Sequence, residues 1–190
     1  MTHRQTRFRS RAMQPMPARG FTLLELLTTL TVVAVLLTVG VPGFFDIVRN
    51  NRAAANANEM VSALSIARSE AIRRGARVAV CPSSNGTSCT GTWSDGWIVF
   101  ADAATSDTAA PVVGTVVRVW PAPSGAPAVT AKGAGGGAAT WIRFLPRGDV
   151  RTDEVLPVDI SIRPDNCRGE QARSIELNAA GRTIVERVTC

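Results

Sequence analysis

One carboxylate, Glu25, stands near the start of the otherwise almost uncharged run RGFTLLELLTTLTVVAVLLTVGVPGFF. An acid at the centre of a membrane helix costs about 3 kcal/mol on insertion scales, less near the interface, and persists most easily beside a cation. The chemistry open to Glu25 is charge pairing. A neighbouring subunit's α-amine, freed by cleavage before Phe21, would be an attractive partner; a snorkelling acid at the headgroup boundary is the plain alternative.

The cysteines are the second chemical set: Cys81 and Cys89, then Cys167 and Cys190. There is no C-x-x-C, and the single histidine, His3, lies in the basic tail, so neither a zinc site nor a histidine-based triad is expected. If the C-terminal region lies outside the cytoplasm, two disulfides are the natural reading. Four cysteines permit three pairings, and chain proximity favours 81 with 89 and 167 with 190 over reduced thiols. No phosphate-binding loop or dinucleotide glycine pattern occurs, because GAGGGAA lacks a following Lys-Ser/Thr pair. No enzyme, cofactor or metal is expected.

The formal charge of +6 suggests nucleic acid until it is located. Arg4, Arg7, Arg9, Arg11 and Arg19 precede Phe21 with no acid among them; from Phe21 onward 16 basic residues meet 15 acidic ones. Residues 26–45 form a twenty-residue stretch without a charged side chain, long enough as a helix, about 30 Å, to cross the hydrocarbon core. Basic residues before a span tend to stay cytoplasmic, which places the bulk of the chain on the far side. The stretch is longer than the apolar part of a signal peptide and lacks a small-residue cleavage site after it. Gly40, Pro42 and Gly43 should kink it or make it meltable.

Beyond the span, Met60, Leu64, Ala67 and Ala71 recur at helical spacing, and Glu70 can meet Arg73 or Arg74. The helix is expected to run to about Arg74 and stop at Gly75. VAVC, GWIVFA, VVGTVVRVW, TWIRFL, DISI, SIELN and TIVERV then read as five to seven strands, largely antiparallel, in a sheet against the helix. SIELNAAGRTIVERV reads as a hairpin turning at Gly181; SSNGTSCTGTWSDG and APSGAPAVTAKGAGGGAAT read as loops. Trp93 and Trp97 are expected in packing rather than in sugar stacking.

RGFTLLELL followed by an apolar helix resembles the class III signal of type IV pilins and type II secretion pseudopilins. The resemblance implies that a prepilin peptidase cuts after Gly20, that Phe21 is methylated, and that Glu25 neutralises the terminal amine of an adjoining subunit during assembly. The body of the chain resembles the GspH/FimT group, through ARSEAIRRGARVAVC, WSDGWIVF, IRFLPRGDV and CRGEQARSIELNAAGRTIVERVTC. Members of the FimT branch can bind DNA through a basic C-terminal turn with a Gly-Arg-x-Arg pattern. Gly181 and Arg182 match it, but Ile184 replaces the second arginine and the next is Arg187. Arg182, Arg187 and Arg173 are thus the candidate contacts to double-stranded DNA, although acids balance arginines from residue 165 to the end.

The expected fold is α+β and pilin-like, a long N-terminal transmembrane helix packed on a C-terminal, mainly antiparallel β-sheet domain. Its expected parts are a cytoplasmic leader (1–20) removed on processing, a helix (21–77) spanning the membrane to about residue 45, and a periplasmic or extracellular β domain (78–190). The expected function is that of a minor pilin, a single-pass inner-membrane protein incorporated into a type IV pilus. Its partners would be other major and minor pilins or pseudopilins, prepilin peptidase, the inner membrane and DNA. The alternative is the H-type minor pseudopilin of type II secretion.

Overall fold

The computed structural model describes residues 20–190; residues 1–19 of the expected leader lie outside them. Helix α1 spans Leu23–Arg74 and includes Gly40, Pro42 and Gly43, so the expected interruption does not end it. Instead the chain divides into two compact units between Pro42 and Gly43.

In the first unit, Leu23, Leu24, Leu26, Leu27, Leu30, Val32, Val33, Val35, Leu36 and Leu37 are all exposed. Among the described residues α1 is the one helix long and apolar enough to cross a membrane, with a mean hydropathy of 2.2 and no burial in its most apolar window.

In the second unit the helix buries one stripe, Ala53, Ala57, Met60, Ala63, Leu64, Ala67 and Ala71. Alanine at most of these positions lets the helix approach the strands closely and favours the helix itself. The helix ends where left-handed Gly75 (φ +61°) donates to the carbonyl of Ile72 and Ala76 donates to that of Ala71. This is a Schellman stop, which satisfies two of the last free carbonyls.

Nine strands follow: β1 (Val78–Pro82), β2 (Gly96–Asp102), β3 (Val113–Pro121), β4 (Ala128–Gly133), β5 (Ile142–Phe144), β6 (Val150–Thr152), β7 (Val158–Arg163), β8 (Ala172–Leu177) and β9 (Thr183–Val188). They form two sheets, β3-β2-β1-β5-β6 and β4-β7-β8-β9, with every paired strand antiparallel. Met60 and Leu64 of α1, Val80, Trp97, Val99 and Ile142 of the first sheet, and Ile160, Ile162 and Ile175 of the second form the common core. Trp93 joins it from a single 3-10 turn, Trp93–Asp95, where its indole nitrogen donates to the carbonyl of Ala139.

The expectation of one sheet of five to seven strands is corrected to two sheets and nine strands. Six-residue β4 lies inside the stretch read as a loop, because Ala-Val-Thr-Ala-Lys-Gly carries only two strong strand formers. What makes it a strand is pairing with β7, from Ala128 opposite Arg163 to Gly133 opposite Val158. Strand β6 has three residues, too few to show an alternation.

Candidate functional site

Glu25 occupies the first turn of α1, where its own N–H donates to the Thr22 hydroxyl at 3.2 Å. A carboxylate there also faces the positive end of the helix dipole. Its side chain is exposed and joins no ion pair among the described residues. Gly20 and Phe21 precede the helix and are both exposed, Phe21 with 80% of its surface, so none of the described residues buries either side of the Gly20–Phe21 bond.

The three candidate DNA arginines do not meet at one place. Arg182 is exposed in the turn between β8 and β9, which left-handed Gly181 (φ +76°) makes. Its backbone N–H donates to Asn178 Oδ1 at 3.0 Å. Arg187 lies five residues along β9, roughly 16 Å away at strand rise, and is exposed. There it is the cross-strand partner of Arg173. Arg173 is only 5% exposed: Nη1 donates to the carbonyls of Gln171 and Ala172, and Nη2 to Asn50 Oδ1 at 2.6 Å. Burial first, and the Arg187 charge second, lower its pKa from the usual arginine value. The hairpin therefore offers one cation at its tip and a couple at its far end.

Three arginines that sequence reasoning left unassigned fasten distant backbone segments, Arg68 the hairpin turn and Arg143 with Arg77 the segment after β2. Arg68, in the ARSEAIRR segment of α1, donates Nη1 to the Gly181 carbonyl and Nη2 to the Ala180 carbonyl, tying the helix to the turn before Arg182. Arg143 is fully buried in β5, where it pairs with Asp102 and donates to the carbonyls of Ser106, Asp107 and Ala109. Arg77 adds bonds to the Asp107 carboxylate and the Ala104 carbonyl. Segment 103–112 is thereby held by arginines. An arginine between Ile142 and Phe144 was the available signal, but its partner lies 41 residues away in sequence.

Disulfides join Cys81 to Cys89 and Cys167 to Cys190, with Cα separations of 5.5 and 5.6 Å. The first closes the loop after β1; the second ties the segment before β8 to the residues after β9. Among the described residues no group of three or more His, Cys, Asp or Glu side chains could hold a metal ion.

Residues 56–181 match the family model described as type II transport protein GspH, and residues 15–41 match the prokaryotic N-terminal methylation motif. No curated protein matches the chain. Among solved structures, the type IV minor pilin FimU of Pseudomonas aeruginosa PAO1 is similar in fold, with a TM-score of 0.53 and 19% identity over 72% of this chain and 89% of that one. A second crystal form of FimU gives a TM-score of 0.49 and 18% identity over 70% and 91% of the two chains. The GspH match covers the helix stripe from Ala57 on, strands β1 to β8 and the hairpin turn as far as Gly181, and the methylation motif covers Gly20, Phe21 and Glu25; the chain belongs to the GspH/FimT family of minor pilins and pseudopilins.

Proposed function

We propose that this protein is a minor pilin of the type IV pilus, a single-pass inner-membrane subunit that helps initiate filament assembly. Its leader, residues 1–20, is removed by prepilin peptidase and Phe21 is methylated. The N-terminal segment over residues 21–77, whose helix runs Leu23–Arg74, crosses the membrane to about residue 45, and the β domain over 78–190 stands in the periplasm until other major and minor pilins take the subunit into the filament.

The observation that carries this reading is Glu25, an exposed carboxylate that joins no ion pair among the described residues, in the first turn of a helix whose apolar side chains are exposed. Such a charge calls for an external cation, and the amine of a neighbouring Phe21 supplies one at the same depth. Glu25→Ala is expected to leave membrane insertion intact and abolish incorporation, read by membrane fractionation and by immunoblot of sheared filaments. Normal incorporation of the variant would end the assembly reading.

Double-stranded DNA contact is the branch-specific addition. It centres on exposed Arg182 at the hairpin tip, with Arg187 and the field of Arg173 farther along the strand. Arg182→Glu combined with Arg187→Glu should weaken a duplex mobility shift and reduce DNA uptake; unchanged values for both would remove DNA from the function. The GspH family match favours a second reading, the H-type minor pseudopilin of type II secretion. Loss of protein secretion with intact pili after gene deletion would select it.

A further inference from the structure

The Arg173–Arg187 couple is a concentration of positive charge that the chain does not neutralise. The two residues are directly opposed on β8 and β9, an arrangement that is destabilising for like charges. All fifteen acids of the sequence lie among the described residues, and none forms an ion pair with either arginine. Asp46 is occupied by Arg49 at 3.2 Å and by the Gln171 amide at 3.2 Å. Glu186 follows the strand alternation to the opposite face from Arg187, where its cross-strand partner is Ser174. Arg173 itself is buried and satisfied only by neutral acceptors: the carbonyls of Glu170, Gln171 and Ala172, and Asn50 Oδ1. Buried charges are ordinarily paired, so this one lacks its counter-ion.

The position of the couple indicates where that anion comes from. Asn50, which holds Arg173, follows Phe44, Phe45 and Ile47 on α1, three apolar residues with 64%, 53% and 60% of their surface exposed. At 1.5 Å per residue, Asn50 is about 8 Å along the helix from Phe45, the last residue of the charge-free stretch. That is the depth of the phosphate-bearing headgroups beyond a hydrocarbon core. We infer that Arg173 and Arg187 form a phosphate site for an anionic glycerophospholipid of the outer leaflet, which holds the subunit at the membrane surface before it enters a filament. The inference rests on the membrane-spanning reading given under Proposed function.

The test uses the full chain in nanodiscs of phosphatidylcholine, alone or mixed with phosphatidylglycerol, followed by mild detergent release and native mass spectrometry of the retained lipid. The wild type should retain phosphatidylglycerol over phosphatidylcholine. Arg187→Gln should lower that retention about fivefold, the effect of one arginine at a charged membrane surface, and Arg182→Gln at the hairpin tip should leave it unchanged. Arg173→Lys, with folding checked by its thermal melt, should also lower retention, because a point charge replaces the guanidinium held by Asn50.

Equal retention by wild type and Arg187→Gln overturns the inference. So does displacement of the lipid by millimolar inorganic phosphate, which would mark a free-anion site, or a loss confined to binding of a DNA duplex, which would give the couple to nucleic acid. Carbonate extraction of native membranes separates the two readings. A chain that stays in the membrane without preferring phosphatidylglycerol sinks the lipid site alone, whereas a chain released into the wash sinks the membrane anchor and the lipid site with it.

Discussion

Arg143 Nε donates to Asp102 Oδ2 at 2.5 Å, and neither side chain exposes any surface. Asp102 Oδ1 meanwhile accepts the N–H groups of Ala104 and Val112, at the two ends of the segment whose carbonyls Arg143 collects. The pair links β2 to β5 across β1 and fastens residues 103–112 over the second face of the five-stranded sheet. Removing one partner of such a pair strands the other charge in the interior, at a cost of about 3–5 kcal/mol. Arg143→Met should lower stability by that amount in urea unfolding, and adding Asp102→Asn should restore part of it. A loss within about 0.5 kcal/mol of zero, ordinary for a surface change, would show that the pair does not hold the segment.

Glu70 accepts from Arg73 at 2.6 Å and from Arg74 at 2.6 Å, and these bonds hold its carboxyl down at about 2, against an ordinary 4.5. A carboxylate whose folded-state pKa is depressed contributes stability above its unfolded pKa and loses it as the pH falls through the folded one. The contribution of Glu70 should therefore be complete above about pH 4.5 and disappear between there and about pH 2. Glu70→Gln should flatten the acid limb of the melting-temperature profile in that window and shift the neutral plateau little, since the pair is partly solvated. An acid limb of unchanged slope would mean that Glu70 is not the titrating group.

Much of this fold can be read from local sequence, because its main signals are local. The apolar stripe Met60, Leu64, Ala67 and Ala71 repeats at the helical period and is buried as a set. All seven segments rich in Val, Ile and aromatics contain strands. The two strands that escape notice, β4 and β6, owe their conformation to partners: Lys132 pairs Asp159 on β7, and Thr152 pairs Ile142 on β5. The division into two sheets is likewise a matter of pairing, which no single segment encodes. Glu25 was legible because a charge beside an apolar run is conspicuous in one dimension. The Arg173–Arg187 couple was not, since its meaning depends on hairpin register and on Asn50, 123 residues away.

The two disulfides close loops of different length, with sequence separations of 8 and 23. On the chain-entropy model a bond contributes about 2.6 kcal/mol for the shorter loop and about 3.4 kcal/mol for the longer one. Cys167→Ser with Cys190→Ser also releases the Cys190 carbonyl that accepts from Arg163 at 2.8 Å, which adds to the loss. The paired substitution at 167 and 190 should accordingly cost more than Cys81→Ser with Cys89→Ser in denaturant unfolding. The reverse order would show that burial of Cys81 in the sheet, rather than loop closure, governs the contribution.

Arg68 and Gly181 together set the position of the hairpin tip. Gly181 has a φ of +76°, and a Cβ built there would stand 2.5 Å from the Gly148 carbonyl oxygen and 3.2 Å from Arg68 Nε. Gly169 is also left-handed, at +57°, but a Cβ there would have nothing within 4 Å. Gly169→Ala should therefore cost only the backbone term, about 1 kcal/mol, and Gly181→Ala should cost at least about 2 kcal/mol because a backbone oxygen must also move. Arg68→Met leaves that backbone alone and removes the two bonds, 3.2 and 3.0 Å, that fix the turn from the helix side. Its signature should be faster amide exchange at Gly181 and Arg182, whose N–H groups donate to the Asn178 carbonyl and side chain, with little change at β5. Were exchange to quicken throughout both sheets instead, Arg68 would be supporting the whole core and not the tip that presents Arg182.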